Sequence, residues 1–250
     1  MGENLARQLA YGIFNAPIRP FPYPHIYVEN IFPKEVYARL QENIPHPDAM
    51  IPIEQARSVR GYKERFVLDI SSPMETVTDE QRAFWREMRD VLLGGGIRNV
   101  FLNKFKAQIQ ERLSQMVGAA LYDESLLVED ITRYALGPHT DAPPKVITVL
   151  FYLPPDNSQI HLGTSLYMPK DPARRCPGGP HYKFDEFDRV ATMPFAPNSM
   201  FAFVKNDLSF HGVEPVTDPD VKRWLLLYDI RVRMPAVQPA PVAPDTVTTA

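Results

Sequence analysis

The sequence predicts an α+β chain in which a double-stranded β-helix (jelly-roll) barrel is buttressed by N-terminal helices. Three observations predict it. Capped, striped helices fill the first half, and short β-rich runs broken by turn clusters fill the second from about Leu126. Several of those runs are apolar on both faces, as a strand must be when it lines a lumen on one side and carries helices on the other.

Taken in order, His25 to Val28 reads as a short strand. A helix follows from Pro33, whose ring suits the first helical position, with Val36, Tyr37, Leu40 and Ile44 on one face. Thr78 and Gln81 form a capping box ahead of the stripe Phe84, Met88, Val91 and Leu92, which Gly94-Gly95-Gly96 ends. A third helix is expected from Ile97 to Val117, with Phe101, Phe105, Ile109, Leu113 and Met116 at helical spacing. The strands expected after it are Leu127–Leu136, Val146–Leu153, Leu162–Met168, Ser199–Val204 and Arg223–Val232, separated by turns such as Pro154-Pro155-Asp156-Asn157. One domain over 1–233 is expected, helical and β up to about 125 and barrel core over about 126–233. The Pro/Ala-rich segment 234–250 has little to bury and reads as a flexible tail.

The bulk numbers exclude several classes. With 44% apolar and 23% charged residues over 250 positions, the chain can build a core without disulfides. Its lone cysteine, Cys176, rules out an intrachain disulfide framework and suits a reducing compartment. A net charge of −3 offers no basic stripe, so no nucleic-acid partner is expected. The N-terminus lacks the apolar run of a signal peptide and the Ser or Thr of a myristoylation site. Val146–Leu153, the strongest apolar run, is far too short to span a bilayer, so no membrane association is expected and the expected location is the cytoplasm. Oligomeric state has no signature in the sequence.

The chemistry centres on Gly137-Pro138-His139-Thr140-Asp141. His-x-Asp sets an imidazole and a carboxylate on the same side of an extended chain, where both can reach one metal. Alone the motif is common. Near the end of the β-rich region, Phe210-His211-Gly212-Val213 adds a second imidazole. Two His and one carboxylate leave coordination positions open, which suits Fe(II) reacting with O₂. Arg223 then opens the last strand, where a cation ahead of an apolar face calls for an anion, and its planar fork matches a carboxylate.

His139-x-Asp141, then His211, then Arg223 resembles the signature of the Fe(II)/2-oxoglutarate-dependent oxygenase superfamily. Tyr134-Ala-Leu-Gly-Pro-His-Thr-Asp141 resembles that superfamily's ligand strand, and Thr148-Val-Leu-Phe-Tyr-Leu153 the strand after it. Leu162-Gly-Thr-Ser165 resembles a degenerate form of its Gly-Gly-x-Thr turn, and Ala196-Pro-Asn-Ser-Met-Phe-Ala-Phe203 the strand leading to the distal ligand. The match covers about Thr132 to Arg233, and His25-Ile-Tyr-Val-Glu-Asn-Ile-Phe-Pro33 more loosely resembles the usual entry strand and helix.

The resemblance implies Fe(II) held by His139, Asp141 and His211, with 2-oxoglutarate chelating the metal and its far carboxylate on Arg223. Tyr134 and Ser165 are the other implied co-substrate contacts, Tyr134 reading equally as a packing residue. The implied reaction hydroxylates an unactivated C–H bond of a small molecule or peptide, consuming O₂ and yielding succinate and CO₂. Two departures matter. Leu225 stands where relatives often carry Ser or Thr, and the adjacent Lys222 is an alternative anchor. Asp141 occupies the position that is small in related halogenases, which argues against halogenation. His161 and His181 read as surface or structural residues, and Cys176 has no identifiable base for a nucleophilic role. The long polar excursion Pro169–Pro194 reads either as a pocket-shaping loop or as surface decoration. The competing functions are an iron oxidase that uses no 2-oxoglutarate and a non-catalytic, cupin-like binding protein.

Overall fold

Apolar spacing sets the helices. A computed structural model describes residues 2–57, 59–116 and 118–233; the segment 234–250, expected as a tail, lies outside the described residues. The first helix, α1 (Gly2–Asn15), is not among the expected elements, although Leu5, Leu9 and Ile13, four apart and buried, carry its signal. After β1 (His25–Glu29) comes α2 (Lys34–Glu42), with Pro33 at its N-cap. Short β2 (Ile51–Pro52) and α3 (Ile53–Ala56) lead into β3 (Arg65–Asp69).

The capping box forms as expected at α4 (Asp79–Leu92): Gln81 N donates to Thr78 Oγ1 at 3.2 Å, and the Gln81 side chain accepts from Thr78 N at 3.2 Å. Gly95 takes φ 83° between α4 and the next helix, a left-handed turn that glycine adopts without steric cost. The single helix expected over 97–117 is two, α5 (Gly96–Lys104) and α6 (Lys106–Ser114), broken at Phe105. No Pro or Gly marks the break. The apolar stripe runs through it, and Phe101, Phe105 and Ile109 are all buried.

The remaining strands are β4 (Ala120–Ile131), β5 (Leu136–His139), β6 (Lys145–Tyr152), β7 (Ser165–Pro169), β8 (Phe187–Thr192), β9 (Ser199–Val204), β10 (His211–Val213) and β11 (Lys222–Arg233). Among the described residues they form two antiparallel sheets, ordered β1-β9-β6-β11-β4-β3-β2 and β5-β10-β7-β8. The strand expected over 127–136 ends at Ile131, because residues 132–135 turn, with Arg133 at φ 77°. The larger sheet starts earlier than the expected core, at Ala120, and takes β1, β2 and β3 from the N-terminal half.

Strand alternation then builds both faces. On β11, Leu226, Tyr228 and Ile230 pack outward with Trp85, Phe101 and Phe105 of the helices. Leu225 points inward with Val128, Tyr152, Phe201 and Phe203, and with Leu166 of the smaller sheet. The expected architecture, a double-stranded β-helix buttressed by N-terminal helices, is the one observed. No helix among the described residues is long and apolar enough to cross a membrane.

Candidate metal centre

Strand register brings the two imidazoles together. β5 and β10 pair antiparallel with His139 directly opposite His211, and their ring centroids lie 4.3 Å apart. Asp141 follows His139 by two residues, and one ligand atom from each of the three lies within 4.8 Å of the others. All three residues are buried.

Local hydrogen bonds aim each donor. His139 Nδ1 lies 3.0 Å from Gly137 O, and His211 Nδ1 lies 2.9 Å from Ser209 O. A carbonyl only accepts, so each Nδ1 carries the proton and each Nε2 keeps its lone pair for a metal. Burial, reinforced for His139 by the neighbouring His211, pushes both imidazoles below their ordinary pKa and keeps them neutral. Burial pushes the other way on Asp141. It is outweighed by the Lys145 ammonium, the two imidazoles and the Thr148 hydroxyl, which together hold the carboxyl below its usual range. Thr148 Oγ1 donates to Asp141 Oδ2 at 2.6 Å, while Oδ1 lies 3.1 Å from Lys145 Nζ and 3.9 Å from His211 Nε2. Two neutral imidazoles and one ionised carboxylate form the donor set that a divalent metal requires.

These donors open into a cavity of about 380 Å³ between the sheets, with charge at both ends. At one end Arg223, Asp130 and Arg65 stand side by side across β11, β4 and β3. Arg65 grips Asp130 through Nε to Oδ1 at 2.6 Å and Nη2 to Oδ2 at 2.9 Å. Arg223 donates from Nη1 to the same Oδ2 at 2.6 Å and from Nε to Leu162 O at 2.6 Å. Arg223 therefore already has an anionic partner within the fold, which the sequence did not reveal. Lys222, the alternative anchor, is exposed, because alternation along β11 turns it away from the cavity.

The two other expected co-substrate contacts lie off the cavity wall. Tyr134 sits in the turn after β4, its ring 4.5 Å beneath the Arg65 guanidinium and its hydroxyl buried without a partner among the described residues. Ser165 Oγ is 2.7 Å from Thr192 Oγ1, and it is the neighbouring Thr164 that lines the cavity.

His161 is exposed and pairs with Asp218 at 2.9 Å, as a surface residue would. His181 is exposed too, as a surface residue would be, but it stands at the rim of the site. It lines the cavity, its ring lies 4.6 Å from that of His139, and its Nε2 is 2.9 Å from the Tyr62 hydroxyl. The excursion that carries it packs over the His-x-Asp segment: Tyr182 N donates to Pro138 O at 2.9 Å, and Thr140 Oγ1 to Cys176 O at 2.7 Å. Lys145, Thr148, Asp130, Arg65 and His181 are the site residues that the motifs did not announce. The signals available were a lysine four residues after Asp141 and the pair of carboxylates, Glu129 and Asp130, that follows the apolar run Leu126-Leu127-Val128.

Gly178 shows how tightly the excursion sits. Its φ is +127°, and a Cβ there would lie 2.4 Å from Asp141 O and 2.9 Å from Pro143 Cδ. Gly178→Ala is expected to cost about 1–3 kcal/mol of stability and to weaken divalent-metal binding, because the excursion must lift off the residue that carries the carboxylate. Thermal melts and metal titration check this; an unchanged melt would detach the excursion from the metal centre.

Fold and site together define a class: a double-stranded β-helix with two imidazoles and one carboxylate gathered at the side of its lumen. No protein-family model and no curated protein sequence matches the chain. Solved structures do match in fold. The non-haem α-ketoglutarate-dependent carbocyclase SnoK from nogalamycin biosynthesis matches with a TM-score of 0.51 and 12% identity, over 95% of this chain and 89% of that one. The dioxygenase for auxin oxidation 1 from Arabidopsis thaliana, solved with 2-oxoglutarate, matches with a TM-score of 0.50 and 8% identity, over 94% of this chain and 90% of that one. At these identities the likeness establishes the shared fold.

Proposed function

We propose that this protein is an Fe(II)- and 2-oxoglutarate-dependent oxygenase that hydroxylates an unactivated C–H bond of a small molecule or peptide. The observation that carries the reading is the donor set: three buried side chains converge in the protonation states of metal ligands, on the wall of a cavity. The likeness to SnoK and to the auxin dioxygenase, whose names specify α-ketoglutarate dependence and 2-oxoglutarate binding, supports the same chemistry.

His139, Asp141 and His211 would hold the metal. Bound Fe(II), with 2-oxoglutarate and O₂, supplies the oxidising power for C–H hydroxylation, with succinate and CO₂ as co-products. Thr148 ties off Asp141 Oδ2 and keeps the carboxylate one-pronged, so that coordination positions stay open for co-substrate and O₂. The far end of the cavity suits an anion. Two guanidinia share one carboxylate there, which leaves one positive charge over, and among the described residues Arg223 donates hydrogen bonds through Nε and Nη1. A carboxylate from the co-substrate would take up that charge on the remaining edge of the Arg223 fork.

Arg223→Leu is expected to raise the KM for 2-oxoglutarate at least tenfold, about 1.4 kcal/mol or more of lost binding, with Fe(II) affinity little changed. Arg223→Lys keeps the charge without the fork and should fall between. Lys222→Ala, on the exposed face, should match the parent protein. If no succinate forms from the Fe(II)-loaded protein with 2-oxoglutarate and any metabolite pool tried, the oxygenase reading fails.

A further inference from the structure

Lys145 reaches the metal centre against the plain alternation of its strand. It shares the cavity wall with Thr148, three positions on, although an odd separation along a regular strand sets two side chains on opposite faces. A β-bulge makes the difference. Ile147 pairs with Ile230 and Lys145 with Arg231, so β6 carries one extra residue, Val146, against β11. Bulges of this kind re-aim a side chain beside a site. Here the bulge accompanies a Lys145 Nζ that lies 3.1 Å from Asp141 Oδ1 and 3.0 Å from Asp229 Oδ2. The lysine side chain is 15% exposed and the two carboxylates 7% and 4%, so salt and water screen the trio weakly. Asp141 Oδ2 is held by Thr148, and Oδ1, 3.9 Å from His211 Nε2, is the oxygen that faces the metal position. The ammonium therefore touches the one carboxylate oxygen that the metal would use. Asp229 alone would pair a buried lysine; the second contact puts the charge on a metal ligand.

We propose that Lys145 is a positioning residue for the metal: acting through Asp141, its ammonium holds bound iron in the ferrous state. This rests on the Fe(II) part of the oxygenase reading of the same site. A fixed positive charge repels a trivalent ion more than a divalent one, and the difference grows where the dielectric is low. The ammonium also draws on the charge of Oδ1, which makes it a weaker donor to the more highly charged ion. Outer partners of metal ligands tune a metal in this way. Both effects raise the potential of the one-electron Fe(III)/Fe(II) couple. The contact fixes the ligand as well: with Oδ2 on Thr148 and one side of Oδ1 on Lys145, Asp141 keeps a single direction for a metal. Asp229 is the counter-charge. It touches Lys145 and sets how much of the ammonium charge the ligand feels, so its removal should act in the opposite sense to removal of the lysine. Fe(II) is the form that reacts with O₂ in a site of two imidazoles and one carboxylate, so a raised potential keeps the resting site competent.

The test is the midpoint potential of the iron-loaded full chain, read by anaerobic redox titration with the paramagnetic resonance of Fe(III) as the signal. No co-substrate and no turnover enter the measurement. Lys145→Met should favour Fe(III) over Fe(II) at least tenfold relative to the parent, a fall in potential of about 59 mV or more. Lys145→Arg keeps the charge and should stay near the parent. Asp229→Asn leaves the ammonium to Asp141 alone and should move the potential upward. A packing role would not give Lys145→Met and Asp229→Asn opposite signs. Melting temperatures check the fold, and Asp229→Asn decides the matter should Lys145→Met fail to fold. The proposal is overturned if folded Lys145→Met keeps the parent potential, if Lys145→Arg falls as far as Lys145→Met, or if Asp229→Asn moves the potential downward. A parent protein that binds no Fe(II) would overturn the oxygenase reading and this proposal with it, whereas those three outcomes overturn the proposal alone.

Discussion

His139→Ala and His211→Ala are each expected to lower Fe(II) affinity at least a hundredfold, about 2.7 kcal/mol, and to abolish 2-oxoglutarate turnover. The size of the effect follows from the geometry. Each imidazole presents one Nε2, fixed by an Nδ1 hydrogen bond to a backbone carbonyl, and the remaining pair of donors cannot close a three-cornered site. The effect should exceed that of any neighbouring substitution, because His181, the nearest spare imidazole, has its Nε2 on Tyr62. Proton competition should be mild: burial holds both ligand imidazoles below their ordinary pKa of 6.5, so metal occupancy should persist at pH 6.5 and fall only as the solution is taken further into acid. Metal titration followed by single-turnover succinate assay checks all three statements. Parent-like Fe(II) affinity in either variant would mean that the metal, if one binds, binds elsewhere.

Asp130→Asn should be the most damaging substitution for stability. The carboxylate is fully buried, and both Arg65 and Arg223 discharge onto it from adjacent strands. Burial alone would lower the Arg65 pKa, but Asp130 outweighs it and holds the guanidinium charged. Neutralising Asp130 leaves two guanidinia face to face with no anion between them, and breaking a buried pair in this way costs about 3–5 kcal/mol. In a chain of this length that corresponds to a fall of about 6–20 °C in Tm. Adding Arg65→Met to Asp130→Asn removes one stranded cation and should recover part of the loss. Saturating 2-oxoglutarate should also recover more stability in Asp130→Asn than in the parent, because its carboxylate substitutes for the missing charge. Equal melting temperatures for parent and Asp130→Asn would show that the two arginines do not depend on this carboxylate.

How legible the molecule was in its sequence depends on the range of the interactions. The capping box at Thr78, the stop at Gly94-Gly95-Gly96 and the two-faced apolar strands are set by residues within a few positions of one another, and they stand where the pattern put them. Lys222 and Arg223 differ in fate by one step of strand alternation. That step follows from the apolar pattern of β11, yet only the paired neighbours show which face is the cavity. α1 carried its signal at Leu5, Leu9 and Ile13, and the break at Phe105 carried none.

By itself, the sequence determined the kind of chemistry available: one imidazole and one carboxylate two residues apart, a second imidazole, and a later arginine. It also determined those elements whose caps or alternation are local, such as α2, α4, β6, β9 and β11, whereas α1, the break at Phe105 and the short strands β2, β3, β8 and β10 were not read from it. Only the tertiary structure decided what each charge faces. Arg223 and Asp130 are 93 positions apart, and Asp130 and Arg65 are 65 apart, yet they meet at hydrogen-bond distance. Lys145 reaches Asp141 and Asp229 together, and His181 folds back onto His139. Such pairings are set by strand register across a sheet and by the path of a long excursion. A charge buried at 0–8% exposure is governed by whichever group the fold places within a few ångströms of it.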